Sequence, residues 1–477
     1  MRILKGLLTF VLGLTGILLL TVIVIHWIDT SGTSYLDIDK NEPSLDNSCL
    51  ITHVNVIPMN ADTVLENKMV YIRNGVIEKI ADNIAISGVE VFDAQNKYMV
   101  PGLIDMHVHI WDKYELGLYL SNGVTAVRNL WGMPMHLRIK EEVMREDILS
   151  PMFFTTGPKL TGTEFIGDDN LNVNSPAEAR EKVITYKDKG YDFIKTYYGL
   201  DKELFDAVIE QAGASEIDIV AHPSQRVPFG YHLNPQIRSI EHVEEIVQQP
   251  LAFDLDSGKL QAVVDEISRA DHTRYCPTIT VFNNIYQMLI DDGILDSDSL
   301  AYMNPLIRKV DSENEYKRWF RSKQKDTGVV SSIKSQHDFH ITIVRRLHEA
   351  GVNIVCGTDA GIGITLPGFS VHRELQFYKE AGLSNYEVLK TATVYASQTH
   401  AIMNNMGTIE PGKVANLLIT QENPLISLSA LERPAFVFIK GRRLNRKTLD
   451  SFNEKAKNRR NLLATALRYA ENLVVER

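Results

Sequence analysis

The chain has 477 residues, of which 44% are hydrophobic and 23% are charged, with a formal net charge of −10. These proportions are typical of a globular protein and exclude a fibrous or disordered chain. The acidic balance disfavours nucleic acid as a partner, because phosphates are bound by clustered Lys and Arg. Three scattered cysteines (Cys49, Cys276 and Cys356) are too few for a disulfide framework, and we expect no disulfide.

The N-terminus is an apolar segment. Residues 6–28 carry no charged side chain, and such a stretch is long enough to cross the roughly 30 Å of hydrocarbon in a bilayer. A cleaved signal peptide is the alternative, but its apolar core is usually shorter. Arg2 and Lys5 precede the segment and Asp29 follows it. The positive-inside bias therefore predicts a single-pass signal anchor over residues 1–29, with the rest of the chain on the non-cytoplasmic side, which is the periplasm in a bacterium.

Two β-rich flanks enclose the centre of the chain. Residues 30–100 contain short runs that alternate apolar and polar side chains, and Arg73-Asn74-Gly75 is typical of a hairpin turn. Residues 402–445 contain similar runs that again end in a glycine turn. Because a small isolated sheet is marginal in water, the two flanks predict one composite β-sandwich.

Residues 101–401 alternate apolar strands with helix-length segments. This alternation predicts a parallel sheet with helices outside, either as a closed barrel or as an open doubly wound sheet. One predicted strand is the run RYCPTITVF, which begins at Arg274. Residues 284–335 exceed one crossover and are predicted to be a helical insertion that covers the barrel mouth. Residues 446–477 are predicted to form an amphipathic helix on the protein's own surface, with a membrane or partner role as the alternative.

Ionisable side chains follow several of the apolar runs. His107 and His109 are two residues apart on a strand, so both imidazoles project to one side. Four later runs also end in a polar residue: Lys195, His222, His242 and Asp359. The carboxyl ends of barrel strands converge on one face, where active sites lie. Imidazole and carboxylate groups gathered there suit zinc and similar divalent ions.

Lys195 does not fit a simple cation site, because an ammonium group repels a metal ion and is costly to bury. A lysine made neutral by burial could act as a base. Alternatively, carbon dioxide could convert the amine to a carbamate, an anion able to bridge two metals. The spacing leaves both alternatives open.

The motifs resemble those of the amidohydrolase superfamily, in its imidazolonepropionase-like and Xaa-Pro dipeptidase-like branch. The resemblance runs from about Leu50 to Leu444 and is carried by VPGLIDMHVHIWD, GYDFIKTYY, IVAHPS, RSIEHVEEI, CGTDAGI, HRELQFYKEAGLSNYEVLKTATVYAS and MGTIEPGKVANLLI. It implies an α/β fold in which a (β/α)₈ TIM barrel lies beside the composite β-sandwich.

The resemblance also implies two divalent metal ions, with Zn²⁺ as the expected metal, held by His107, His109, Lys195, His222, His242 and Asp359. The first two histidines would bind the more buried ion and the last two the second ion. Lys195, carboxylated, would bridge both. Asp359 would touch the first ion and act as the catalytic proton carrier.

The function that this resemblance implies is a membrane-anchored hydrolase of C–N amide-type bonds. Metal-activated hydroxide would cleave a small amide, a dipeptide or an N-acyl amino acid. The alternatives are a mononuclear deaminase, an esterase or lactonase of the same superfamily, and a non-catalytic membrane-anchored binding protein. A homo-oligomer is left open.

Substrate contacts are expected on the loop between His222 and His242, a place where this family often recognises substrate. Arg226 and Tyr231 lie there, and we expect them to hold the carboxylate of a small-molecule substrate. The alternative is that Arg226 is a solvated loop residue. The loop GPKLTGTEF departs from the glycine- and histidine-rich character of the family, which puts substrate contacts there in doubt.

Overall fold

The computed structural model describes residues 2–39, 47–163 and 170–476. Its strands are β1 (Cys49–Val56), β2 (Leu65–Arg73), β3 (Val76–Ala81), β4 (Glu90–Asp93), β5 (Tyr98–Pro101), β6 (Leu103–Val108), β7 (Val124–Asn129), β8 (Met152–Thr155), β9 (Lys159–Thr161), β10 (Asn170–Asn172), β11 (Phe193–Thr196), β12 (Asp218–Ala221), β13 (Ile237–Glu241), β14 (Arg274–Cys276), β15 (Leu417–Thr420), β16 (Phe436–Ile439) and β17 (Arg442–Asn445).

Its α-helices are α1 (Arg2–Thr33), α2 (Tyr114–Ser121), α3 (Pro134–Met144), α4 (Pro176–Lys189), α5 (Lys202–Ala214), α6 (Glu244–Gln248), α7 (Ser257–Ser268), α8 (Ile279–Ile290), α9 (Pro305–Ile307), α10 (Glu313–Lys325), α11 (Val329–Glu349), α12 (Ser370–Glu380), α13 (Asn385–Thr391), α14 (Val394–Ser397), α15 (Arg446–Lys457) and α16 (Leu462–Val475). The three cysteines are buried and free, as predicted.

The two β-rich flanks form one sheet. Its order is β17-β16-β15-β5-β1-β2-β3, with β4 paired to β1, and the antiparallel pair of β15 with β5 joins the flanks. The predicted hairpin joins β2 to β3 through Asn74 and Gly75, whose φ angles of 50° and 76° suit this tight turn. The sheet curls, because Val76 bridges Val414. Apolar side chains from both flanks therefore share one core.

Two parallel sheets form the centre of the molecule. One has the order β6-β7-β8 and the other β10-β9-β11-β12-β13-β14. A parallel bridge between Thr156 and Phe193 links them. On the other side, Ile354 bridges Tyr275 and Ala360 bridges Val108, so residues 354–360 lie between β14 and β6.

Helix α4 illustrates why the surrounding helices form where they do. Ser175 caps it by accepting a hydrogen bond from Glu178 N, and Pro176 occupies the first turn, where its missing N–H costs nothing. Gly190 ends the helix with a φ of 94°, which a residue with a side chain adopts at a cost. The inner face buries Val183 and Tyr186, and each fully buried side chain of this size contributes about 1.5–3 kcal/mol.

The C-terminal segment is two helices, α15 and α16, where the sequence predicted one. The break is explained by polar side chains that turn inward between them. Asn461 Nδ2 donates to Asp112 Oδ2 at 2.8 Å, and the buried Arg459 Nη1 donates to Asp112 Oδ1 at 3.3 Å. A continuous helix would not present both side chains to one carboxylate, since residues two apart face different sides.

The N-terminal helix α1 is long and apolar enough to cross a membrane. The most apolar 18-residue window of the span Phe10–Leu36 has a mean hydropathy of 2.4, and none of that window is buried within the protein. Its composition also fits a signal sequence. Near its end, Asp29 forms an ion pair with Arg468 of α16, so the helix is attached to the body of the protein.

Candidate metal centre

The six side chains predicted to bind metal line one cavity of about 620 Å³. His107 and Lys195 lie on β6 and β11, and the other four follow the carboxyl ends of strands or of the segment beside β6. All six are at least 94% buried. A larger cavity, of about 830 Å³, lies beside α12 and contains none of these residues, so the chemistry belongs to the smaller one.

Asp359 is at the centre of the first group of side chains. Its Oδ1 lies 2.7 Å from His109 Nε2 and 3.2 Å from His107 Nε2, and its Oδ2 lies 3.9 Å from His242 Nδ1. Ligand atoms of His107, His242 and Asp359 all lie within 4.8 Å of one another. This group is compact enough to surround one divalent ion.

His222 and Lys195 supply further donors. The ring centroids of His222 and His242 are 4.5 Å apart. His222 Nδ1 and Lys195 Nζ are buried atoms with no hydrogen-bond partner among the residues that the structure describes. Buried polar atoms are normally paired, so the two unsatisfied nitrogens fit groups that contact a metal or carry a modification.

The electrostatics favour neutral histidines, which are the metal-binding form. Burial lowers the pKa of His107 to about 4 and lowers the pKa values of His222 and His242. Burial alone would raise the pKa of Asp359, but the neighbouring His107, His109 and His242 lower it well below its usual value. At neutral pH the centre therefore presents imidazole lone pairs and one carboxylate.

Two of the predicted ligands have a left-handed backbone. The φ angles of His242 and Asp359 are 71° and 57°, a conformation that costs a non-glycine residue roughly 1–3 kcal/mol. The loop after Asp359 approaches β6 so closely that a Cβ on Gly361 would lie 1.9 Å from His109 O. Strained residues and this close approach are typical of a site held in place by its surroundings.

Asp105, which the sequence analysis missed, ties this loop to β6. Its Oδ1 accepts a hydrogen bond from Thr358 N at 3.0 Å, and its Oδ2 accepts one from Thr358 Oγ1 at 2.7 Å. It also accepts from His107 N at 3.3 Å. Burial raises the pKa of Asp105 to about 7. One buried carboxyl group thus positions both His107 and the residue before Asp359.

Glu241 and Arg128 were also missed. Glu241 Oε2 accepts a hydrogen bond from His107 Nδ1 at 2.8 Å, and Glu241 Oε1 accepts one from Arg128 at 2.8 Å. Burial opposes ionisation of Glu241, yet Arg128 and His107 hold its pKa well below the usual value. An ionised carboxylate only accepts, so His107 must carry its proton on Nδ1, which leaves Nε2 free for a metal.

We expect Glu241→Gln to weaken metal binding by about 10- to 100-fold, because it removes the charge that orients His107. Competition with a chelator measures this affinity. Glu374→Gln is a matched control, since Glu374 is an equally buried carboxylate that accepts from Ile279 N and Thr280 N instead of from a metal ligand. Equal metal affinity in the Glu241 variant and the wild type would show that the contact does not orient the ligand.

The predicted insertion contributes a wall of the cavity. Asp311, Asn314, Glu315 and Arg318 line it. Gly363 N donates to Asp311 Oδ2 at 2.6 Å, so the insertion contacts the loop that follows Asp359. Burial, followed by the charge of Asp311, raises the pKa of Glu315 to about 7. The opposite wall includes Lys159, whose Nζ lies 4.7 Å from the ring centroid of Tyr197.

Arg226 and Tyr231 do not line this cavity in the described part of the chain. Arg226 is exposed, and Tyr231 lies in a 3₁₀ helix whose packing on α5 brings its hydroxyl to Asp206. The structure thus places Arg226 and Tyr231 apart from the six predicted ligands, because Tyr231 packs toward α5. Lys159 belongs to the loop in which substrate contacts were in doubt. Residues 164–169 of that region lie outside the described residues.

A cavity lined by histidines and a carboxylate, at the carboxyl ends of parallel strands, is typical of metal-dependent enzymes of the α/β class. Comparison with known proteins agrees. A model of the amidohydrolase family matches residues 260–444. A dihydroorotase from Listeria monocytogenes is 50% identical over 52 residues, which are 11% of this chain and 12% of that protein's length. The match thus spans about an eighth of the curated relative.

Solved structures share the fold over most of the chain. A bottromycin amidohydrolase has a TM-score of 0.72 and 23% identity, with coverage of 92% of this chain and 97% of that chain. An Xaa-Pro dipeptidase with methionine bound in its active site has a TM-score of 0.64 and 19% identity, with coverage of 83% and 100%. These comparisons support the assignment to the amidohydrolase superfamily that the motifs predicted, since the family model matches residues 260–444 and the solved structures share the fold. The relatives' fold is a TIM barrel with an additional β domain.

Proposed function

We propose that this protein hydrolyses a C–N amide-type bond in a small substrate, using two divalent metal ions, with Zn²⁺ as the expected metal. The observation that carries the proposal is the convergence of six buried side chains of ligand type on one cavity. His107, His109 and Asp359 would hold one ion. His222 and His242 would hold the second, with Lys195 between the two sets.

The chain's own residues supply the proton transfers. Ions bound here would lower the pKa of a water molecule and polarise the substrate carbonyl. Asp359, whose carboxylate is ionised, would accept the proton of that water and pass it to the leaving nitrogen. Glu241 keeps His107 in the tautomer that can bind metal. Trp111, Trp131 and the insertion line the cavity and would limit the access of bulk water, which strengthens these interactions.

Carboxylation of Lys195 is part of the proposal. Its neutral amine would attack carbon dioxide, form an N–C bond and release a proton, leaving a carbamate anion. Burial lowers the pKa of Lys195 to about 8, so a substantial fraction of the amine is neutral near physiological pH. The unsatisfied Nζ supports a covalent modification that would supply oxygen ligands.

The strands are proposed to close into an eight-stranded (β/α)₈ barrel over residues 101–401. The bridges of residues 354–360 to both β14 and β6 support closure. The sheet formed by the two flanks would be the composite domain, and residues 284–335 the insertion over the mouth. Helix α1 would anchor the protein as a single span, with the catalytic domain on the non-cytoplasmic side.

Lys159 is proposed as the anchor for a substrate carboxylate, in place of Arg226. It lies on β9 in the wall of the cavity and is 7% exposed. A charge-assisted hydrogen bond to a carboxylate is worth about 1.5–3 kcal/mol. This position favours an N-acyl amino acid or a dipeptide over a neutral amide.

We expect Lys159→Met to lower kcat/KM on such acidic substrates by about tenfold to a hundredfold, given about 1.4 kcal/mol for each factor of ten. Turnover of uncharged amides should change little. Arg226→Met is the matched control, since it removes a cation outside the cavity and should leave both substrate classes unaffected. An equal loss on acidic and uncharged substrates in the Lys159 variant would contradict the anchor.

The proposed activity is tested with the metal-loaded, full-length chain and a panel of N-acyl amino acids, Xaa-Pro dipeptides, lactams and esters. Release of amine from the amides supports the proposal. Turnover of esters or lactones alone would favour the esterase alternative, and ammonia from an amino-substituted ring would favour the deaminase. Metal binding without turnover of any substrate would favour the non-catalytic binding protein.

A further inference from the structure

One face of the C-terminal helix α16 is apolar and exposed. Its members are Leu463, Leu467, Ala470 and Val474, hereafter the α16 stripe. Intervals of four, three and four residues place these side chains along one line of an α-helix. Val474 is 83% exposed and Leu463 is 60% exposed. The other face, which includes Ala464, Thr465 and Asn472, is buried against the protein.

Helix α16 lies beside the end of α1. Arg468 Nη1 of α16 donates to Asp29 Oδ2 of α1 at 2.5 Å, and both side chains are more than four-fifths buried. The two helices are also in contact with each other. The ion pair therefore attaches α16 to a defined point along the helix that could cross a membrane.

The position of the Asp29–Arg468 ion pair along α1 determines how deep α16 would lie relative to a bilayer. The uncharged segment 6–28 ends immediately before Asp29. Trp27 is 68% exposed, and tryptophan at the end of a span is typical of the headgroup level. Asp29 follows Trp27 by two residues, which is about 3 Å along a helix. The Asp29–Arg468 pair therefore lies close to the headgroup level. A helix at this depth meets the boundary between headgroups and acyl chains.

We propose that α16 lies in the interface of the membrane that α1 spans, with the α16 stripe in contact with lipid. The buried face keeps α16 packed on the protein, and the α16 stripe points away from that face, as the exposures of Leu463 and Val474 show. The inference rests on the anchoring proposed for α1 and is independent of the proposed chemistry. Its consequence is a second membrane contact, which fixes the orientation of the catalytic domain.

The test uses the full-length chain in phosphatidylcholine vesicles, with one environment-sensitive fluorophore on an introduced cysteine. The three native cysteines are buried and free. Leu467→Cys and Val474→Cys probe the α16 stripe, and Ile17→Cys probes α1. Ile426→Cys is the matched control, an isoleucine that is 79% exposed on the loop before β16. Lipids that carry a quencher near the headgroup report contact.

We expect the shallow quencher to reduce the fluorescence of the two α16 probes. A quencher at the bilayer centre should reduce the fluorescence of the α1 probe. The fluorescence of the Ile426 control should not change. Loss for the α1 probe alone would overturn the inference and leave the anchoring intact. Unchanged fluorescence for every probe would contradict both the membrane contact of α16 and the anchoring by α1. Equal loss at Ile426 would show non-specific adsorption, and energy transfer between labelled copies would assign the stripe to a second copy of the chain. Either result would contradict the proposal.

Discussion

Replacement of Lys195 by alanine is expected to abolish most metal binding and most hydrolysis. Substitution of a residue that only orients a metal ligand lowers metal affinity by about 10- to 100-fold. Substitution of a group that bridges both ions should lower it further. Short carboxylic acids such as acetate or propionate should restore part of the activity, because their carboxylates can occupy the place of the carbamate. Metal analysis and turnover, each with and without added acid, measure both effects.

Lys159→Ala is the matched control for this rescue. It removes a buried cation from the same cavity, but Lys159 is proposed to contact substrate and not metal. The variant should therefore keep its metal ions and gain nothing from added acid. A Lys195→Ala protein that retains two ions and full turnover would show that no carbamate is needed, and Lys195 would then be a buried structural lysine.

Asp359→Asn is expected to lower kcat by about 10²–10⁴-fold, the contribution typical of a general acid or base, with a smaller change in KM. Asparagine keeps the size of the side chain and one oxygen, but it cannot accept the proton. Steady-state kinetics on a protein of known metal content separate this effect from metal loss. The acidic limb of the pH profile, which reports the proton acceptor, should also disappear.

A second carboxylate of the same cavity provides the comparison. Asp311 lies on the insertion, accepts a hydrogen bond from Gly363 N and is not one of the predicted ligands. Asp311→Asn should affect kcat far less than Asp359→Asn does. If the loss in Asp359→Asn is fully reversed by excess metal, Asp359 serves as a ligand and another group carries the proton.

The sequence predicted which side chains share one cavity where local periodicity determines their position. His107 and His109 face one side because a strand has a period of two, and the other candidates follow apolar runs that become parallel strands. The buried polar residues of the two parallel sheets were missed, although a signal existed. Arg128 and Glu241 are charges within short apolar strands, and such charges are seldom buried unless they are paired.

Other features depend on contacts that are distant in sequence. The run beginning at Arg274 was predicted to be one strand, but β14 ends at Cys276 and α8 begins at Ile279. Pro277 cannot donate to a sheet, and the first turn of α8 is capped by Glu374, which lies about a hundred residues later. The direction of the loop that carries Arg226 likewise depends on packing against α5, which the spacing of two histidines does not specify.

The measurement that tests the account most directly is metal content coupled to amide hydrolysis in the purified full-length chain. We expect two divalent ions per chain, loss of both metal and turnover on chelation, and recovery of turnover when Zn²⁺ is returned. One ion per chain would contradict the bridged centre and favour the mononuclear alternative. Full turnover by the metal-free protein would contradict the proposal that this cavity works as a metal centre.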